Sequence, residues 1–222
     1  MPLITFINLE PSRQKEILDV AFEEFALYPY ETASLSRIVK NLSVAKGSFY
    51  RYFENKLDLY KYLVELATKM KTDLVKKELK APINNIVDLF NEDFLLKLYF
   101  DLEYPIYSGF LYNVMQERNN EELGNITLET KKKMMDDIKA VLVAQQAEGT
   151  LKSTINLDVI AYTIVQIQIG IYDYLEIKYK INFRENILNK KPVFAIPASE
   201  IMLTIKAFTG LIHEGVSKAP HQ

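Results

Sequence analysis

The chain contains no cysteine and no tryptophan, and its only histidines are His213 and His221. Without thiols it has no disulfide framework and no thiolate metal site. Two histidines near one end do not make an imidazole cluster, so neither metal nor cofactor is expected. Seven glycines and eight prolines in 222 residues are too few for a turn-rich all-β fold. Long apolar runs are also missing. The most apolar stretch, Val159 to Tyr172, has 14 residues and includes Gln166 and Gln168, whereas a membrane span needs about 20. It reads as a buried helix, with no membrane partner. The start, Met1-Pro2-Leu3-Ile4-Thr5-Phe6, lacks a basic region and room for an apolar one. No secretory signal is read there, and a cytoplasmic location is expected. Catalytic groupings are scarce too. Glu92-Asp93, Glu121-Glu122 and Asp136-Asp137 are adjacent pairs, and neighbours in sequence do not share a helical face. No enzyme is expected.

What remains is an ordinary soluble composition, 49% hydrophobic and 25% charged, with a net charge of −2. The length suits one large domain or two smaller ones. Helical periodicity dominates. Ser12 is placed to cap a first helix in which Ile17, Leu18, Ala21, Phe22 and Phe25 share a face, and Pro29 ends it. Thr32 or Ser34 caps a second, with Leu35, Ile38, Val39 and Leu42 at i, i+3, i+4 and i+7. Leu42-Ser43-Val44 is a turn. A short third helix follows over about 45–52, with Phe49 and Phe53 facing the core. Asn55 caps a long helix over 56–80, whose apolar line is Leu59, Leu63, Leu66, Met70 and Leu74, and Pro82 breaks it. Further helices are expected at about 83–103, 105–118, 127–148, 157–180 and 198–217. Their breaks fall at Pro105, Asn119-Asn120, Gly149-Thr150 and the loop from Pro192 to Pro197. The expected fold is all-α. A small three-helix module at 1–56 is joined by a long helix to a larger helical body at 57–222.

Ser36 to Phe53 has the layout of a helix-turn-helix, with one helix across a DNA backbone and the next in the major groove. Charge supports this locally rather than globally. From Ser34 to Lys56 there are five cations (Arg37, Lys40, Lys46, Arg51 and Lys56) against one acid, Glu54. Glu23, Glu24 and Glu31 lie just before it. A local excess of this kind meets phosphates while the rest of the chain stays acidic. Groove geometry assigns Lys46 and Ser48 to base edges or nearby phosphates. Gly47 permits close backbone approach. The hydroxyls of Tyr50 and Tyr52 suit phosphate oxygens, as does Arg37 from the second helix. Lys56 sits at a helix start, where free backbone donors also favour phosphate. Thr32 and Ser34 complete the candidate DNA-binding set. Singly, each cation is more often part of a solvated face; the joint pattern carries the reading.

The residues Thr32-Ala33-Ser34, Ile38-Val39, Ser43-Val44-Ala45, Lys46-Gly47-Ser48-Phe49-Tyr50-Arg51-Tyr52-Phe53 and Lys56 with Leu59 resemble the DNA-binding signature of TetR-type transcriptional regulators. Two positions depart from it. Ser43 stands where the family commonly has glycine. A left-handed non-glycine residue costs roughly 1–2 kcal/mol, so the turn is either strained or adjusted. Ala45 stands where the family commonly has a capping serine, which makes Ser43 the candidate cap for the reading helix. The resemblance implies a transcriptional regulator, with Lys56 and Tyr50 as phosphate contacts. It further implies a homodimer on pseudo-palindromic operator DNA, and repression relieved by a small-molecule effector. The residues themselves do not separate repression from activation.

Two features of the body bear on those expectations. Ile160, Ile164, Ile167, Ile171 and Leu175 form one apolar stripe; Ile201, Ile205, Phe208 and Ile212 form another. Gly170 and Gly210 permit close approach between helices. These stripes either pack inside one subunit or, as the resemblance implies, form the dimer face. Aromatics crowd the central helices. Phe94, Tyr99, Phe100, Tyr104, Tyr107, Phe110 and Tyr172, with Gln166, are the candidate effector-binding residues. The competing reading is a packed core with tyrosine hydroxyls at its edge. A regulator answering to a protein partner, with no small-molecule ligand, is the alternative function.

Overall fold

The computed structural model describes residues 1–44, 46–78, 85–117 and 120–216, apart from the side chains of 46, 75, 76 and 216. Ala45, the Pro82 break, Asn119 and His221 fall outside it. Among the described residues every element is helical: α1 (Ile4–Ile7), α2 (Pro11–Leu27), α3 (Leu35–Asn41), α4 (Lys46–Phe49), α5 (Lys56–Glu78), α6 (Ile86–Glu103), α7 (Pro105–Gln116), α8 (Ile126–Ala147), α9 (Leu157–Tyr179), α10 (Phe183–Leu188) and α11 (Ala198–Val216). The expected all-α class is what the structure shows. No helix among the described residues is long and apolar enough to cross a membrane.

The chain forms two compact units. The first contains Met1–Lys76, Phe100–Thr127 and Phe183–Val193; the second contains the described residues of Lys77–Tyr99, Leu128–Asn182 and Phe194–Gln222.

In the first unit α2 starts one residue earlier than its expected cap. Pro11 occupies the first helical turn and Glu10 the cap position. Proline suits that turn because its missing N–H has no partner there anyway. The short α1 is joined to α2 by Gln14, whose side-chain amide donates to the carbonyls of Ile7 and Leu9, each at 2.9 Å. Phe6 of α1 is buried and packs on Phe53 with ring centroids 5.0 Å apart. Asn55 caps α5 as expected, accepting from the Asp58 N–H at 2.8 Å. The fully buried line of α5 is Leu59, Tyr60, Leu63 and Ala67. Leu66, Met70 and Leu74 are only half-buried.

Helix α2 packs along α7, and both contribute aromatics to one cluster. Phe110 lies 5.4 Å from Phe22 and 5.4 Å from Tyr60, and Phe25 lies 5.2 Å from Tyr60. Each such pair adds about 0.5–1.5 kcal/mol beyond area burial. Gly109 on α7 is the glycine that permits close approach. A Cβ built there comes within 2.5 Å of the Ile187 side chain of α10. At Gly170 and Gly210 an added Cβ meets nothing within 4 Å.

In the second unit Asn156 caps α9, accepting from the N–H groups of Asp158 and Val159 at 3.0 and 3.2 Å. The expected break at Gly149 is a left-handed helix stop with φ 77°. α9 packs against α11. Polar side chains also reach this interior. Lys97 pairs with Asp93 at 2.5 Å, and Gln168, also buried, donates to the same carboxylate at 2.9 Å. The Ile86 N–H at the start of α6 donates to Gln145 at 2.8 Å.

Tyr60 carries a testable consequence. Its hydroxyl is buried and finds no hydrogen-bond partner among the described residues. Burial raises its phenol above the ordinary value of 10.0. A raised folded pKa contributes stability that is complete below about pH 10 and is lost as pH rises beyond it. Replacing Tyr60 by Phe removes an unpartnered buried hydroxyl and should stabilise the fold by about 1 kcal/mol. Melting temperatures at pH 7 and pH 10.5 check both expectations: the variant should melt higher at pH 7 and lose less on going alkaline.

Candidate nucleic-acid interface

The candidate interface lies in the first unit, on α3, α4 and the start of α5. Its geometry begins with α2. Ile17, Ala21 and Glu24 lie at i, i+4 and i+7, so a carboxylate ends the line of side chains that α2 buries. Glu24 is 5% exposed. It accepts from the Ser34 N–H at 2.7 Å and from both Nε and Nη2 of Arg37, at 2.9 and 2.6 Å. Arg37 Nη2 also donates to the Thr32 carbonyl at 2.8 Å, and the guanidinium lies 4.1 Å from the Tyr28 ring centroid. Hydrogen bonding to Glu24 raises the Arg37 pKa further above its ordinary value. The corner between α2 and α3 is thus closed by a charge-assisted fork rather than by apolar packing alone.

Ser34, one of the two expected caps, takes the cap position of α3, accepting from the Arg37 N–H at 3.4 Å. Thr32 is exposed, and its hydroxyl donates to the Pro29 carbonyl at 3.3 Å. At the other end of α3 the Ser43 N–H bonds the Lys40 carbonyl and the Val44 N–H bonds the Val39 carbonyl, each at 3.1 Å. Ser43 has φ 54°. This is a Schellman stop with serine in the left-handed position that usually takes glycine. Ser43 therefore closes α3; the residue that joins it to α4, Ala45, lies outside the described residues.

In α4, Phe49 is buried, and Phe53 just after it is fully buried, so the helix is anchored from below. Gly47 is exposed with open space around it, and Ser48 is half-buried. Tyr50 is 49% exposed. Tyr52 is half-buried and packs edge-on against Phe6 at 6.2 Å. Lys46 opens α4, with its side chain outside the described residues. Lys40 and Arg51 are exposed.

Two expected phosphate contacts have partners inside the protein. Arg37 braces Glu24, although its side chain stays 43% exposed. Lys56 donates to the carbonyls of Tyr30 and Ala33 at 2.8 and 3.5 Å and lies 4.2 Å from the Tyr30 ring centroid. It ties the α2–α3 turn to the start of α5. Asn113 and Glu117, one turn apart on and just after α7, grip the same turn and carried no functional assignment from sequence. Asn113 donates to the carbonyls of Phe25 and Ala26 at 2.9 Å, and Glu117 accepts from the Tyr30 N–H at 2.5 Å. Glu24 had a sequence signal, its place on the buried line of α2. Asn113 and Glu117 had only their i, i+4 spacing.

The candidate effector residues divide between the units. Phe100, Tyr104, Tyr107 and Phe110 are in the first. There Phe110 is core, and Tyr107 packs on Phe22 at 4.3 Å. Phe94, Tyr99, Gln166 and Tyr172 are in the second. Tyr99 is 45% exposed, Gln166 is half-buried, and Tyr172 lies 6.3 Å from Phe94 and 4.8 Å from Phe194. Of the two apolar stripes, Ile164, Ile171, Leu175, Ile201, Ile205 and Ile212 are buried within the chain itself. Ile160, Ile167 and Phe208 are half-buried. Packing inside one subunit accounts for most of both stripes.

A helix braced by a buried carboxylate, a tight stop, and a short helix presenting a glycine and followed by an exposed tyrosine have the layout of a helix-turn-helix module of the DNA-binding class. Residues 17–63 match the family model described as bacterial regulatory proteins, tetR family. Among solved structures, a TetR-family transcriptional regulator from Chloroflexus aurantiacus J-10-fl is 22% identical, with a TM-score of 0.78 over 99% of this chain and 100% of that one. SmeT, described as the repressor of the Stenotrophomonas maltophilia multidrug efflux pump SmeDEF, is 12% identical, with a TM-score of 0.65 over 92% of this chain and 90% of its own. CprB from S. coelicolor A3(2) is 17% identical, with a TM-score of 0.62 over 92% and 88%. No curated protein matches the sequence. Residues 17–63 thus carry a helix-turn-helix module of the tetR family type, and the chain as a whole shares the fold of these solved structures.

Two substitutions test the local physics. Glu24→Ala leaves the Ser34 N–H without its acceptor and Arg37 without its carboxylate. With Arg37 partly solvated, the cost should be about 2 kcal/mol, measured by denaturant unfolding. Ser43→Gly relieves the left-handed conformation and should add roughly 0.5–1 kcal/mol in the same assay.

Proposed function

We propose that the protein is a cytoplasmic repressor that binds a pseudo-palindromic operator as a homodimer and releases it on binding a small-molecule effector. The observation that carries the DNA-reading part is the exposure of Gly47 on α4 and of Tyr50 just after it, on a short segment whose other side is fixed by Phe49 and Phe53. Reading belongs to residues 1–56, and effector binding and dimerisation to 57–222. Lys46 and Ser48 address base edges or adjacent phosphates. Tyr50 and Tyr52 address phosphates. Arg37, Lys56, Thr32 and Ser34 hold the reading helix in place, with Arg37 exposed enough to meet the backbone as well.

The dimer face proposed here is the exposed apolar side of α9 and α11 rather than the stripes buried within the chain. On α9, Val159, Tyr162, Tyr174 and Ile177 are 57%, 53%, 42% and 78% exposed; on α11, Leu203 and Leu211 are 62% and 67% exposed. Gly170 and Gly210 lie among them in sequence with open space at their Cα atoms. Such a patch on paired helices suits an isologous contact.

The effector is proposed to bind in the second unit beside Phe94, Gln168 and Tyr172, where aromatic faces adjoin buried polar groups. Control then requires that the ligand bind the DNA-free form more tightly than the DNA-bound form.

Duplexes selected by the protein from a random pool provide the operator probe. Lys46→Ala and Tyr50→Ala should each weaken binding about tenfold without unfolding the protein. Unchanged affinity in both would overturn this docking. Leu203→Glu with Leu211→Glu should yield monomers in sedimentation and weaken operator binding with them. A metabolite panel screened by thermal shift, with and without operator, tests control: an effector should stabilise the free protein more than the complex.

A further inference from the structure

We propose that Arg184 is a positioning residue for DNA binding, acting from the segment 183–193 on the turn that carries the reading helices. Arg184 Nε donates to the Leu27 carbonyl at 2.9 Å, at the last residue of α2, and its guanidinium lies 5.0 Å from the Tyr28 ring centroid. Arg37 lies 4.1 Å from the centroid of the same ring. One half-buried tyrosine thus takes a guanidinium from α3 and another from a segment more than 150 residues later. Arg37 carries the contact onward, since its other bonds fix Glu24 and the Thr32 carbonyl.

The segment that holds Arg184 is itself docked in the same compact unit. Ile187 fills the notch that Gly109 leaves on α7. The Phe183 ring packs on Tyr112 at 4.7 Å. The Val193 N–H donates to the buried carboxylate of Asp101 at 2.8 Å, and Asn186 donates to the Val193 carbonyl at 2.9 Å. An arginine on a frayed loop would swing freely. This one extends from a short helix pinned at both ends. A planar guanidinium suits the site, because it donates to a carbonyl while lying on a ring; an ammonium ion does only one of these well. Exposed cations on a DNA-binding protein most simply contact phosphate, so the test separates that role from positioning.

Affinity for the selected duplex is measured across a salt series for wild type, Arg184→Ala, Arg184→Lys and Tyr28→Leu, at a temperature well below melting. The proposal expects about tenfold weaker binding for all three variants, with the slope of log affinity against log salt unchanged. It also expects faster amide exchange in residues 35–44 of each variant without DNA. Unchanged affinity in Arg184→Ala overturns it. A slope reduced by about one, with Arg184→Lys restoring binding, overturns it in favour of a direct phosphate contact. A fall in melting temperature with unchanged affinity and exchange overturns it in favour of a purely structural role. If Arg184→Ala fails to fold, Tyr28→Leu and Arg184→Lys decide on the same criteria. Failure of the wild type to select any duplex counts against the DNA-reading assignment itself, which is a separate result.

Discussion

The carboxylate of Glu24 is the constraint on which the reading module depends. It is buried at the corner of two helices and satisfies a backbone N–H and a guanidinium together. A buried charge is costly unless fully partnered, so the corner has one geometry in which the cost is offset. That geometry sets where α3 begins, and the Schellman stop at Ser43 sets where it ends. The short α4 has too few residues to hold its own direction. It inherits its orientation from this stop on one side and from buried Phe49 and Phe53 on the other.

Residues 25–34 form the hub around that corner. α2 ends there under Asn113, Tyr30 is held by Glu117 through its N–H and by Lys56 through its carbonyl, and Leu27 accepts from Arg184. These groups come from α7, α5 and α10. Beyond the Glu24 network, polar groups from helices far along the chain, α7 and α10, also steady the module. A module of four short or medium helices has little interior of its own. Packing α2 along α7 supplies the missing apolar partner, through Phe110 and Tyr107 on Phe22, Phe25 and Tyr60.

The second unit shows a different balance. Its helices bury most of their isoleucines within the chain and leave another apolar face of α9 and α11 exposed. A partly buried ion pair, Lys97 with Asp93, is shared with Gln168. Such a network is a weak source of net stability, but it fixes the relative positions of α6 and α9 within that unit, since a charged group tolerates few alternative partners.

The sequence by itself determined the helical class, most helix boundaries and the helix-turn-helix. These follow from local rules: apolar residues at helical spacing, Asn55 and Ser34 as caps, Pro105 and Gly149 as breaks. The short α1 and α10 escaped because four and six residues carry no periodicity. Only the tertiary structure decided which polar residues are surface and which are braces. Glu24 reads as one acid among several, Arg37 and Lys56 read as phosphate contacts, and Gly170 and Gly210 read as the close-approach glycines. Folding gives Arg37 and Lys56 partners inside the module and makes Gly109 the glycine in closest contact. A side chain's role depends on what the fold brings within three or four ångströms of it, and for Asn113, Glu117 and Arg184 those partners lie 87 to 157 residues away. Helical periodicity reports which face is buried; it does not report which distant helix covers it.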